Sequence, residues 1–164
     1  MQQTITVAKK RSWKERLWSS PKTDAGKIKN AWGVAIAIGI LSLAGAVLSL
    51  FLDFLSAVTS PAMIPFSAVL IALAYWGEKH NDLTVLTGFL VVVIIDFIFI
   101  IVFTALATAS GMIGGLVIKA LFAYWLSQGV RAFKSRGSLF PGILLGIGLE
   151  LLAVGFGVAW ALLA

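Results

Sequence analysis

The fold class follows from residues 83–109, LTVLTGFLVVVIIDFIFIIVFTALATA. This stretch contains one ionisable residue, Asp96, among residues that are almost all apolar. A bilayer core about 30 Å thick is spanned by about 20 apolar residues in a helix, within a range of roughly 17–25. Residues 83–109 therefore predict a helix that crosses a membrane.

Four more apolar segments accompany it along the chain. They run from Trp32 to about Leu55, from about Pro61 to Trp76, from about Met112 to Gln128, and from Leu139 to Ala164. The Pro61–Trp76 segment is short and carries prolines at its start, so a re-entrant or interfacial segment is the alternative there. Together the segments predict an all-α, polytopic transmembrane bundle of five membrane helices.

The composition excludes most other protein classes. Hydrophobic residues make up 60% of the chain and charged residues 12%, against about 45–50% and about 25% in an ordinary soluble domain. Cysteine is absent and His80 is the single histidine, which excludes disulfides, thiolate metal sites and any mechanism that needs two imidazoles. Glu78, His80 and Asp82 alternate within one short loop and do not enclose a metal ion. The sequence predicts no catalytic residue, metal site or cofactor, and hence no enzyme.

The basic residues predict the orientation in the membrane. The chain has a formal net charge of +6, and most of its basic residues precede residue 31. With this end in the cytoplasm, five crossings place connections 53–60 and 110–111 outside, and these contain no lysine or arginine. The inner connections 77–82 and 129–138 contain Lys79, Arg131, Lys134 and Arg136. The positive-inside rule thus predicts a cytoplasmic N-terminus, an external C-terminus, a tail over 1–30 and a bundle over 31–164.

The tail contains a candidate lipid-surface segment. Trp13 and Leu17 lie four residues apart, so a helix would present an apolar stripe with cations around it. This pattern is typical of a helix that lies on an anionic inner leaflet, and it favours the lipid over the alternative of nucleic-acid binding. The expected lipid-surface residues are Lys9, Lys10, Arg11, Trp13, Lys14, Arg16 and Trp18.

Three ionisable residues fall within the predicted spans: Asp96, Lys119 and Glu150. At a rise of about 1.5 Å per residue, all three lie near the middle of their helices. Charges in hydrocarbon are costly, so Lys119 is expected within ion-pair reach of Asp96, Glu150 or both. The cluster has two interpretations: a structural pair that fixes helix register, or a proton or cation pathway.

Part of the chain suggests an internal repeat. Segments 60–76 and 109–125 share Met-Ile and Ala-Tyr-Trp in register. If the next connection is longer in the second copy, Gly88 then matches Gly142, and Asp96 matches Glu150. This similarity predicts a parallel duplication of a two-helix hairpin, and chance similarity between apolar segments is the alternative.

Two glycine pairs have the GxxxG spacing that lets helix backbones approach closely: Gly111 with Gly115, and Gly142 with Gly146. Packing within the bundle is the favoured interpretation, and an interface with another subunit is the alternative.

From these observations the chain is expected to be a non-catalytic subunit that anchors or scaffolds a larger membrane assembly, and the membrane layer of a virus is one assembly of this kind. The alternative is a small oligomeric proton- or cation-coupled transporter or channel that uses Asp96, Lys119 and Glu150. Its expected partners are an anionic inner leaflet and either further copies of the chain or a larger membrane complex.

Overall fold

The computed structural model describes residues 23–51, 60–107, 113–133 and 137–163. These residues form five helices and, within those ranges, no strand: α1 Asp24–Leu48, α2 Met63–His80, α3 Leu83–Ala107, α4 Ile113–Phe133 and α5 Phe140–Leu163. The all-α prediction is confirmed. The lipid-surface residues Lys9, Lys10, Arg11, Trp13, Lys14, Arg16 and Trp18 lie outside the described ranges, as does Gly111.

Helix α1 begins eight residues before the predicted Trp32, inside the segment assigned to the tail. Thr23 caps it, with a side-chain oxygen that accepts a hydrogen bond of 3.2 Å from the Gly26 backbone N–H. Asp24 follows in the first turn and pairs with Lys27 at 3.1 Å. Side-chain caps and first-turn acids stabilise a helix start irrespective of hydropathy, so the apolar pattern alone placed this boundary too late.

The connection between α2 and α3 is a tight turn rather than the predicted loop 77–82. Helix α2 continues to His80, and Asn81 ends it in the left-handed conformation, with φ 51° and ψ 49°. Asp82 then caps α3, because its carboxylate accepts the Thr84 backbone N–H at 2.7 Å. Asparagine tolerates the left-handed region better than most residues, which allows the chain to reverse within two residues.

The helices pack in an order that differs from their order in the chain. Helix α1 packs along α2 and α4, and α3 packs along α4 and α5, while α2 makes smaller contacts with α3 and α5. Helices α3 and α5 are parallel, since Gly142 lies against Thr87 and Gly146 lies against Val91. The predicted duplicated hairpins do not pack as separate two-helix units, and the duplication stays a prediction.

The described core is concentrated in the half of the bundle where α1, α3 and α5 begin. Trp32, Leu86, Phe89 and Leu126 are fully buried there. The Trp32 ring occupies space beside Gly77, where an added Cβ would lie 2.6 Å from the ring. Gly77 therefore leaves room for the Trp32 ring in the core.

Three helices of the described part are long and apolar enough to cross a membrane: α1, α3 over Leu83–Val102, and α5. Helices α2 and α4 are not among them, since each carries charged and polar residues toward one end. The chain therefore has the character of a membrane protein with three candidate spans. The count of five membrane helices stays a prediction, as does the orientation of the two termini.

Candidate functional site

An ion pair joins the middle of α3 to the first third of α4. Lys119 Nζ donates a hydrogen bond to Asp96 Oδ2. The two side chains are 26% and 38% exposed, respectively. Asp96 lies about 20 Å along α3 from Leu83, and Lys119 about 21 Å along α4 from Phe133, at a rise of about 1.5 Å per residue. The ion pair expected from the charges is therefore present.

Glu150 lies on α5, about 15 Å from its start at Phe140. It lines the same cavity as Asp96 and Lys119. Within the described residues, no hydrogen bond or ion pair joins Glu150 to another side chain. The structure thus brings the three predicted charges to one place, with two of them paired directly and Glu150 beside them.

This cavity has a volume of about 290 Å³, and all five helices contribute to its wall. Ten of the fourteen described residues that line it are apolar, including Phe66 of α2 and Phe122 of α4. The four polar ones are Ser42, Asp96, Lys119 and Glu150. An apolar cavity with a few convergent polar groups is the usual form of a small-molecule site.

Two serines connect α1 to α2 beside the cavity. The Ser42 and Ser67 hydroxyl oxygens lie 2.8 Å apart. The Ser67 hydroxyl also donates to the Met63 carbonyl oxygen at 2.8 Å, within its own helix. Ser67 is fully buried, whereas Ser42 lines the cavity. Neither serine was predicted from the sequence, where the available signal is a hydroxyl at matching depth on each of two adjacent apolar segments.

Only some of the described glycines that were predicted to mediate helix packing lie against another helix. Gly142 and Gly146 lie against α3, where added Cβ atoms would be in close contact with Thr87 and Val91. Gly115 has no atom of another residue within 4 Å of an added Cβ, so it does not mediate packing within the described bundle. Gly129 and Gly77, which the spacing argument did not select, permit close approach of α4 to α1 and of α2 to α1 respectively.

No protein-family model, curated protein or solved structure matches this chain.

Proposed function

We propose that all five helices cross a membrane, with the N-terminus in the cytoplasm and the C-terminus outside. Two observations support the inclusion of α2 and α4. Their exposed large side chains are largely apolar, for example Val69 and Val117. The ion pair of Lys119 with Asp96 also holds the first third of α4 beside the most apolar of the candidate spans. A reporter fused after Ala164 tests the topology: it should be external, and a cytoplasmic reporter would refute five crossings.

The function that the geometry supports best is passage of a proton or cation through the bundle, in an oligomeric transporter or channel. The observation that carries this proposal is the cavity at Asp96, Lys119 and Glu150, to which all five helices contribute. Charged groups at the centre of a bilayer cost about 2.5–3.5 kcal/mol each on insertion scales. A purely structural pair is expected to be enclosed by apolar side chains, so a cavity beside it favours a role in solute binding.

One lysine cannot neutralise two carboxylates. Lys119 is paired with Asp96, which leaves Glu150 to be neutralised by a proton or by a cation in the cavity. Exchange of the proton for the cation at Glu150 couples the movement of protons to the movement of cations. The packed core around Trp32, Leu86 and Phe89 lies between this cavity and the end where α1 begins, so a transport cycle requires these residues to separate.

Flux measurements in liposomes test this proposal. We expect the purified protein to conduct protons or cations, and we expect Asp96→Asn and Glu150→Gln each to abolish the flux. Glu78→Gln is the matched control, because Glu78 is an exposed acid near the end of α2 and its replacement should leave the flux unchanged. Absence of flux from the wild-type protein, or equal flux in all four proteins, would contradict the proposal.

The second candidate is the non-catalytic anchoring subunit that the sequence favoured. The outer surface of α5 supports it: Leu151, Val154 and Leu162 are exposed there, and Gly148 and Gly155 have no neighbour in contact with an added Cβ. This surface is suited to contact with another copy or a larger membrane assembly. Purification in mild detergent separates the candidates, since a stoichiometric partner and no flux would favour anchoring. Neither candidate includes an enzymatic activity.

A further inference from the structure

The direction of the hydrogen bond between Ser42 and Ser67 shows which kind of polar group a ligand in the cavity could present to Ser42. A serine hydroxyl has one hydrogen to donate and two lone pairs. Ser67 donates its hydrogen to the Met63 carbonyl oxygen, so in the Ser42–Ser67 hydrogen bond Ser42 must be the donor. The lone pairs of the Ser42 oxygen then remain at the cavity wall, where they can accept a hydrogen bond from a ligand.

The charges of the cavity select the sign of the ligand. Lys119 is held by Asp96, and the ionised Glu150 adds one negative charge without a direct partner in the described residues. When Glu150 is ionised, the cluster of Asp96, Lys119 and Glu150 has a net charge of −1. A monocation neutralises this charge, whereas an anion increases the electrostatic cost of a charged group in an apolar bundle.

The remaining wall favours an organic ion over a calcium or magnesium ion. Calcium and magnesium take six or more oxygen ligands, whereas the described lining residues offer side-chain oxygens from the two carboxylates and the Ser42 hydroxyl alone. Its other described lining is apolar and includes the rings of Phe66 and Phe122. Aromatic rings attract cations, and apolar walls bind an apolar body. The volume of about 290 Å³ lies at the lower end for small-molecule pockets, so the ligand is small.

We infer that the cavity binds a small lipophilic ammonium ion, whose N–H groups donate to the Glu150 carboxylate and the Ser42 oxygen while its apolar body lies against Phe66 and Phe122. This inference rests on the proposed passage of a proton or cation and specifies the cation. A proton at Glu150 competes with the ammonium group for the same carboxylate.

Binding to the full chain in a neutral detergent tests the inference, with the 2-phenylethylammonium ion as the probe. We expect saturable binding, at least about tenfold weaker in Glu150→Gln because a charge-assisted hydrogen bond is lost. Ser42→Ala should weaken binding a few-fold, and the exposed Glu78→Gln should not change it. 2-Phenylethanol has the same apolar body without the charge, so it should compete poorly with the 2-phenylethylammonium ion for the cavity.

The outcomes separate this inference from the proposed function. Equal binding of the probe by wild type and Glu150→Gln, or equal competition by 2-phenylethanol, would overturn the ammonium site. If no probe binds while proton flux still depends on Glu150, the inference is wrong and the proposed function stands. If the probe binds as expected but liposomes show no flux, the site stands and the transport function is wrong. Circular dichroism of each variant must show a folded helical protein for its binding value to count.

Discussion

Replacing Gly146 by alanine should weaken the packing of α5 on α3, whereas the same change at Gly148 should not. An added Cβ at Gly146 would lie 2.5 Å from Val91 Cβ and 2.8 Å from the Gly88 carbonyl oxygen. Both are rigid atoms of α3, so neither can rotate away. Because ordinary contacts begin near 3.4 Å, the two helices would have to separate by about 0.9 Å. Gly148, two residues along α5, has no such neighbour within 4 Å.

The expected effect combines two opposing contributions. Overpacking of a rigid contact typically costs about 1–3 kcal/mol, and the higher helix propensity of alanine offsets up to about 1 kcal/mol. With the full offset, Gly146→Ala should lower the free energy of unfolding by up to about 2 kcal/mol, and it should be about 1–3 kcal/mol less stable than Gly148→Ala. Gly148→Ala should leave it unchanged or raise it slightly, because it receives the propensity gain without the steric cost.

The difference in stability between the two variants is measured by reversible unfolding in mixed micelles of sodium dodecyl sulfate and a neutral detergent. Circular dichroism monitors the loss of helix. Because both variants replace a glycine of α5 by alanine, the effect of the detergent and the helix propensity of alanine cancel in the comparison. If Gly146→Ala were as stable as Gly148→Ala, the close parallel packing of α3 and α5 would be refuted.

Two further predictions concern the ends and the middle of the bundle. Asp82→Ala should lower the free energy of unfolding by about 1 kcal/mol through loss of the α3 cap, whereas Asp82→Asn retains a capping oxygen and should lose little; the same unfolding assay measures both, and equal losses would contradict the capping role. Because the chain has no cysteine of its own, Ser42→Cys with Ser67→Cys should form a disulfide under mild oxidation, since the two hydroxyl oxygens lie 2.8 Å apart. Ser42→Cys with Val69→Cys should not form a disulfide, because Val69 lies on the exposed side of α2. Cross-linking is measured by cleaving the chain between the two helices and running the products on a non-reducing gel. Equal cross-linking of the two cysteine pairs would show that the packing of α1 on α2 is wrong.

The helical class and the ion pair could be predicted from the sequence because both follow from one-dimensional rules. Long apolar runs predict helices by length, and charges at equal depth in apolar segments are expected to pair. Asp96 and Lys119 satisfied this expectation because the cost of an unpaired charge leaves few other arrangements.

Other features depend on which helices are neighbours, and hydropathy does not contain that information. Trp32 is buried because Gly77 of another helix leaves space for its ring. Gly142 and Gly146 pack on α3 while Gly115 has no such contact, although both pairs show the same spacing. The hydroxyl contact of Ser42 with Ser67 follows from the antiparallel packing of α1 on α2, which their sequences do not specify individually.

A double-mutant cycle on the ion pair tests whether Asp96 and Lys119 meet at the middle of the bundle beside Glu150. The free energy of unfolding is measured for wild type, Asp96→Asn, Lys119→Met and the double variant. We expect the sum of the stability losses in the two single variants to exceed the stability loss in the double variant. The difference, which is the coupling free energy, should be about 1–3 kcal/mol, within the range for residues in contact. Single losses that add to within about 0.5 kcal/mol of the double variant's loss would show that the two side chains do not interact and would contradict the account.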